Sequence, residues 1–104
     1  MRKPRGIKIL GYNYTCVTAR DEEYPNSGAC DAAKQVIKIA AGLPGSAAQS
    51  TVLHEVIEAL NYHLQLNLKH SKIMQLEAGL FQALTDNGVS LEPLMRAFKR
   101  GGKP

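Results

Sequence analysis

The residues most capable of chemistry lie in one short segment, "TVLHEVIEALNYHL", at residues 51–64. His54 and Glu58 are four residues apart, so in a helix they lie one turn apart and face the same way. That spacing allows two side chains on one helix to bind the same metal ion. Glu55 points about 100° further round the helix. A general base that must not bind the metal would lie there.

A second helical segment supplies another carboxylate. Glu77 falls about 40° from Ile73, at 100° per residue, and so lies within the apolar face of that helix. Burying an isolated carboxylate is costly, which favours pairing or coordination. A short loop would make the two helices antiparallel, so that Glu77 meets His54 and Glu58. We therefore expect a metal bound by His54, Glu58 and Glu77, with one coordination position open.

The other two histidines, His63 and His70, fit this set less well. His70 projects from the same face of the second helix, but seven residues separate it from Glu77, about 10.5 Å along a regular helix. The two can hardly bind one ion together, and the sequence leaves open whether His70 replaces Glu77. His63 falls on the opposite side of the first helix, and we interpret it as a surface histidine.

Strands precede these helices and must position them. Residues 6–18 are rich in β-branched and aromatic types, and residues 29–41 hold a short strand, a turn at 31–34 and a strand with Ile37 and Ile39 on one face. We expect an α+β fold. Its parts would be an antiparallel sheet of about three strands, two main antiparallel helices at 51–64 and 70–85, and a short helix at 91–99. Ser50 is the expected N-cap of the first helix. The apolar stripes predicted for the two main helices are Leu53, Ile57, Leu60 and Leu64, and Ile73, Leu76, Leu80 and Leu84.

The segments "TVLHEVIEAL" and "LEAGLFQALTDNG" resemble the small zincin-like metallopeptidases of phages and prophages, of the minimal gluzincin type. The resemblance spans about residues 36–88. In that family a helix carrying H-E-x-x-H precedes a helix with a glutamate ligand, and Glu77 lies at the typical interval after the motif. Here Glu58 replaces the second histidine, which makes the site harder and more anionic, so Mn or Fe becomes an alternative to Zn. The resemblance also implies an edge strand that aligns a peptide substrate, formed by Val36, Ile37, Lys38 and Ile39.

The resemblance implies a metal-dependent hydrolase acting on a peptide or protein substrate, with Glu55 as the catalytic base. The alternative is a non-catalytic zincin-like interaction protein of the same origin, in which His54, Glu58 and Glu77 are structural.

Composition narrows the class of protein. The 104 residues are expected to form a single domain at 1–104, with a net charge of +4 concentrated in basic, flexible ends at 1–5 and 99–104. A small DNA-associated protein would rest on those ends alone, and without a basic recognition helix we do not expect a nucleic-acid partner. No apolar run reaches the roughly 20 residues of a membrane span, and no export signal follows the basic start. Cys16 and Cys30 are expected to be free, buried thiols in the cytoplasm of a bacterial host. The oligomeric state is not determined by these patterns.

Overall fold

A sheet built from the first forty residues precedes three helices, which is the α+β order that the sequence predicts. The computed structural model describes residues 6–19 and 28–99. The strands are β1 (Gly6–Ile9), β2 (Tyr12–Ala19), β3 (Gly28–Asp31) and β4 (Val36–Ala40), and the helices are α1 (Gly45–Leu64), α2 (His70–Asp86) and α3 (Glu92–Lys99). The expected flexible ends, apart from Lys99 at the close of α3, lie outside the described residues.

The sheet has four strands rather than three, in the order β1-β2-β4-β3. The pairs β1–β2 and β3–β4 are antiparallel, but β2 and β4 are parallel, so the expectation of a wholly antiparallel sheet is wrong. Residues 6–18 fold into two strands because Leu10 and Gly11 both adopt positive φ and form a tight hairpin turn. The predicted turn after β3 is confirmed, and the Lys34 amide donates to the Asp31 side chain there.

The strand at residues 36–39 is internal, which corrects the expectation that it forms an edge. β4 pairs with β2 on one side and with β3 on the other, so its backbone groups are already hydrogen-bonded. Ile37 and Ile39 face the core as predicted, and both are buried. An apolar strand gains most from the central position, whereas the small residues of β3 lose little at the edge. Strand addition by a substrate at 36–39 is therefore excluded.

Helix α1 begins at Gly45, six residues before the predicted start. Its N-cap is Pro44, which makes no side-chain capping bond, so the prediction of Ser50 as N-cap is wrong. Gly42 and Pro44 separate β4 from α1, and the residues that follow Gly45 are compatible with a helix. Ser50 therefore lies inside α1, and its side chain faces α2.

Helix α1 lies between the sheet and α2 and buries two faces. Ala48, Val52 and Ala59 pack on the sheet, in the larger core cluster. Leu53 and Ile57 pack on Ile73 of α2, in the smaller one. Both predicted apolar stripes are thus only partly buried, and exposed members are Leu64, Leu76 and Leu80. Within the described residues, no helix has the length and apolar character needed to cross a membrane.

Candidate metal centre

Helices α1 and α2 meet along faces that carry most of the ionisable side chains singled out by the sequence. Glu58 of α1 contacts His70 at the start of α2, whereas Ser50, two turns earlier in α1, contacts Glu77 further along α2. Contacts that run in opposite directions along the two helices make the pair antiparallel, as predicted.

Three side chains that can bind a metal ion converge at the end of this interface nearest the α1–α2 loop. His54 Nε2 lies 3.3 Å from Glu58 Oε2, and His70 Nδ1 lies 3.6 Å from the same oxygen. One ligand atom from each of the three residues falls within 4.8 Å of the others. Zinc ligands at about 2.0–2.1 Å in a tetrahedron are separated by about 3.4 Å. Both contacts to Glu58 are close to that separation, so the group could hold a divalent ion.

The donor set differs from the predicted one at a single position. Glu77 is not in the group, and His70 is. Glu77 Oε1 instead lies 2.9 Å from Nδ1 of His54, the ring nitrogen that faces away from Glu58, and Ser50 donates its hydroxyl proton to Glu77 Oε2. The expectation that His70 and Glu77 do not share one ion agrees with this arrangement, but the candidate ligand from α2 is His70.

Asn61 places His70 at the site by holding the loop between the helices. Its side-chain amide donates to the Leu68 carbonyl at 3.3 Å, and the Leu68 amide donates back to Asn61 Oδ1 at 2.9 Å. Gln65 and Asn67 adopt positive φ in the same loop. Asn61 lies one turn after Glu58 on α1, and Leu68 is two residues before His70. The paired bonds therefore set the position of the first turn of α2 relative to Glu58.

Glu55 is buried on the sheet-facing side of α1, whereas the sequence predicted only its position about 100° round the helix from His54. Its exposed fraction is 5%. Burial raises its pKa to about 7, with Glu58 and Glu77 adding to the rise and His54 opposing it. A general base is most effective when its pKa lies near the working pH. Gly28 of β3 lies directly above, and only its lack of a side chain allows the strand to approach so closely.

A cleft of about 490 Å³ lies beside the ionisable side chains of α1 and α2. Its walls include His54, Glu55, Glu58, His70 and Glu77 from the helices, and Gly28, Ala29 and Cys30 from β3. Among the described strands β3 pairs only with β4, so its other edge lies beside the cleft. The residues predicted to bind substrate, Val36 to Ile39, do not line it. Both cysteines are free thiols; Cys16 is buried as predicted, but Cys30 is only half-buried and forms part of the wall.

His63, near the C-terminal end of α1, belongs to a separate cluster on the sheet-facing side of the helix. Its Nε2 and the Tyr14 hydroxyl are joined by a hydrogen bond of 2.6 Å, and its ring stacks on Tyr12 with centroids 4.3 Å apart. The interpretation of His63 as a surface residue is therefore wrong, because it anchors α1 to β2. Tyr14 is fully buried in the larger core cluster.

Comparisons with protein-family models, curated proteins and solved structures found no match to this chain. Its function must therefore be inferred from the residues of the site.

Proposed function

We propose that this protein is a small metal-dependent hydrolase, a peptidase of the phage and prophage zincin type that its sequence resembles. The observation that carries the proposal is the convergence of His54, Glu58 and His70 in the same cleft as the buried carboxylate of Glu55. A cation site next to a carboxylate with a near-neutral pKa is the combination that hydrolysis of an amide requires.

The donor set favours zinc, with Mn or Fe as alternatives. Two imidazoles and one carboxylate form the ligand set of several catalytic zinc sites, in which a fourth position stays open. His70 lines the cleft and its side chain is largely exposed, so we expect the open fourth position to face the cleft. A divalent ion held there would polarise a substrate carbonyl and lower the pKa of a water molecule.

Glu55 is the proposed general base. Its raised pKa makes it able to take a proton from water near neutral pH and to pass it to the leaving amine. Its burial beneath β3 keeps the carboxylate away from bulk solvent. Because its side chain is on the sheet-facing side of α1, it does not belong to the metal-binding group.

The edge of β3 that faces away from β4, which no other described strand pairs with, is the proposed site for an extended peptide. Backbone groups on an edge strand can pair with a peptide, which then lies across the neighbouring cleft. In this position the scissile bond would lie next to Glu55 and the cation site.

The two free thiols are compatible with the reducing cytoplasm of a bacterial host.

Metal binding is the first test of the proposal. Protein purified without a histidine tag is titrated with ZnCl₂ by calorimetry, together with His70→Ala and Glu58→Ala variants. We expect one zinc per chain for the wild type and no detectable binding for either variant. Asp86→Asn, on the exposed end of α2, is the matched control and should bind as the wild type does.

Catalysis is tested separately with Glu55→Gln and a fluorogenic peptide library. The variant should bind zinc normally and cleave nothing, since only chemistry needs the base. If the wild type binds no zinc, the hydrolase proposal fails, and the non-catalytic interaction protein becomes the better interpretation. If it binds zinc and cleaves no peptide, the peptidase assignment is lost.

A further inference from the structure

A continuous chain of polar contacts connects the metal-facing histidine to both helices. Ser50 donates its hydroxyl proton to one oxygen of Glu77, and the other oxygen lies 2.9 Å from Nδ1 of His54. Ser50 is one turn before His54 on α1, so all three side chains lie on the face that meets α2. The imidazole is 15% exposed and Glu77 is 21% exposed. The chain is therefore largely shielded from water.

This chain determines which ring nitrogen of His54 carries the proton. A carboxylate can only accept a hydrogen bond, so Nδ1 must be the donor to Glu77. In neutral His54 the lone pair then lies on Nε2, which faces Glu58 Oε2 at 3.3 Å. Two acceptors at that distance repel each other unless a cation or a further proton lies between them. The network thus leaves Nε2 unprotonated and directed toward the position where a metal would be bound.

We propose that Glu77 and Ser50 are positioning residues that hold His54 in the Nδ1–H tautomer, with Nε2 directed into the metal site. The inference rests on the proposed function and deepens it, because it gives Glu77 a role other than metal ligand. Hydrogen bonds from a ligating histidine to a carboxylate fix ring orientation and tautomer and increase metal affinity. Ser50 in turn fixes the orientation of the Glu77 carboxylate.

The alternative role for Glu77, direct ligation, conflicts with these contacts. Both of its oxygens are already engaged, one by Ser50 and one by His54. The Glu77 carboxylate lies on the Nδ1 side of the His54 ring, whereas the metal position is on the Nε2 side, next to Glu58. Ligation would therefore require Glu77 to move away from Nδ1 and would leave that N–H without its acceptor. His70 fills the third ligand position without such a loss.

The tautomer is measured on metal-free protein by ¹⁵N NMR of the histidine rings at about pH 8, where an ordinary histidine is neutral. We expect the Nδ1–H form of His54 in the wild type and a shift toward the Nε2–H form in Glu77→Ala. Asp86→Asn should leave the signals unchanged. A wild-type His54 in the Nε2–H form, or no change in Glu77→Ala, would overturn the proposal whether or not zinc binds.

Zinc affinity separates positioning from ligation. Glu77→Ala should weaken zinc binding by about 10–100-fold. Glu77→Gln should recover most of that loss, because its amide oxygen still accepts from Nδ1–H. Ser50→Ala should give a smaller loss that Ser50→Thr restores. If Glu77→Gln loses as much affinity as Glu77→Ala, Glu77 is a ligand and the positioning role is refuted. If the wild type does not bind zinc, the proposed function fails instead, and the tautomer measurement still reports on the contact itself.

Discussion

The close approach of β3 to α1 makes Gly28 a sensitive test of the site. A Cβ placed on Gly28 would lie 2.8 Å from Thr51 Cγ2, 2.9 Å from the Lys38 carbonyl oxygen and 3.1 Å from Glu55 Oε2. The carbonyl belongs to the adjacent strand and cannot rotate away. To reach ordinary contacts, β3 must therefore shift by about 0.5 Å, away from α1 and also from the Lys38 carbonyl of β4. That movement would separate β3 from the Glu55 side chain and expose it to solvent.

We expect Gly28→Ala to lower the free energy of unfolding by about 1–3 kcal/mol, the usual cost of overpacking. In a domain of this size each kcal/mol lowers Tm by about 4–8 °C. Calorimetry and urea denaturation measure both quantities. The double variant Gly28→Ala/Thr51→Ser removes one of the three contacts, so it should recover only part of the loss.

Gly79→Ala is the matched control, because a Cβ at Gly79 in α2 meets nothing within 4 Å. Replacing a glycine inside a helix by alanine should stabilise the protein by about 1 kcal/mol. The two alanine substitutions are thus expected to have opposite signs. Stability of Gly28→Ala within about 0.5 kcal/mol of the wild type would refute the close packing of β3 on α1.

Three further predictions concern ionisation and buried hydrogen bonds. In metal-free protein, Glu55→Gln should be more stable than the wild type by about 3 kcal/mol at pH 8, with the difference nearly gone at about pH 4. The reason is that the pKa of Glu55 is about 7 in the folded protein and 4.5 as the ordinary value. As the pH rises between these two values, the unfolded chain loses the proton more readily than the folded protein, so the free energy of unfolding of the wild type falls. A difference that is equal at both pH values, by urea denaturation, would contradict it. Asn61→Ala should lower the free energy of unfolding by about 1–3 kcal/mol and weaken zinc binding, because both hydrogen bonds to Leu68 are lost. Zinc affinity equal to that of the wild type would show that the loop does not position His70. His63→Ala should lower the free energy of unfolding by a similar amount, because the Tyr14 hydroxyl loses its hydrogen-bond partner, and zinc affinity should stay unchanged. Adding Tyr14→Phe to His63→Ala should restore part of the stability, because the unpaired hydroxyl is then removed.

The candidate site was predictable where its residues lie on one helix. The four-residue spacing of His54 and Glu58 depends only on helix geometry, and the two side chains do lie together at 3.3 Å. The contribution of α2 was less accessible. Sequence spacing showed that His70 and Glu77 could not share an ion, but the choice between them depends on the α1–α2 loop. Asn61 holds that loop through bonds to the Leu68 backbone, and side-chain periodicity contains no signal for them.

The burial of Glu55 could not be predicted from the helical pattern of apolar residues either. Ala48, Val52 and Ala59 share its side of α1, and their spacing with Glu55 marks a second buried face. That signal was hidden because small residues contribute little to an apolar stripe. The position of Gly28 over Glu55 follows from pairing between β3 and β4, which are distant from α1 in the chain.

Local patterns in the sequence determined the α+β order, the spans of α2 and α3, the buried face of β4 and the His54–Glu58 pair, since each depends on the regular repeat of a helix or a strand. The tertiary structure alone decided the sheet order with its parallel β2–β4 pair, the early start of α1, and the exchange of Glu77 for His70 beside Glu58. Those features come from contacts between segments far apart in the chain. Such contacts depend on loop conformation and on competition among elements for the buried positions, which no single repeat specifies.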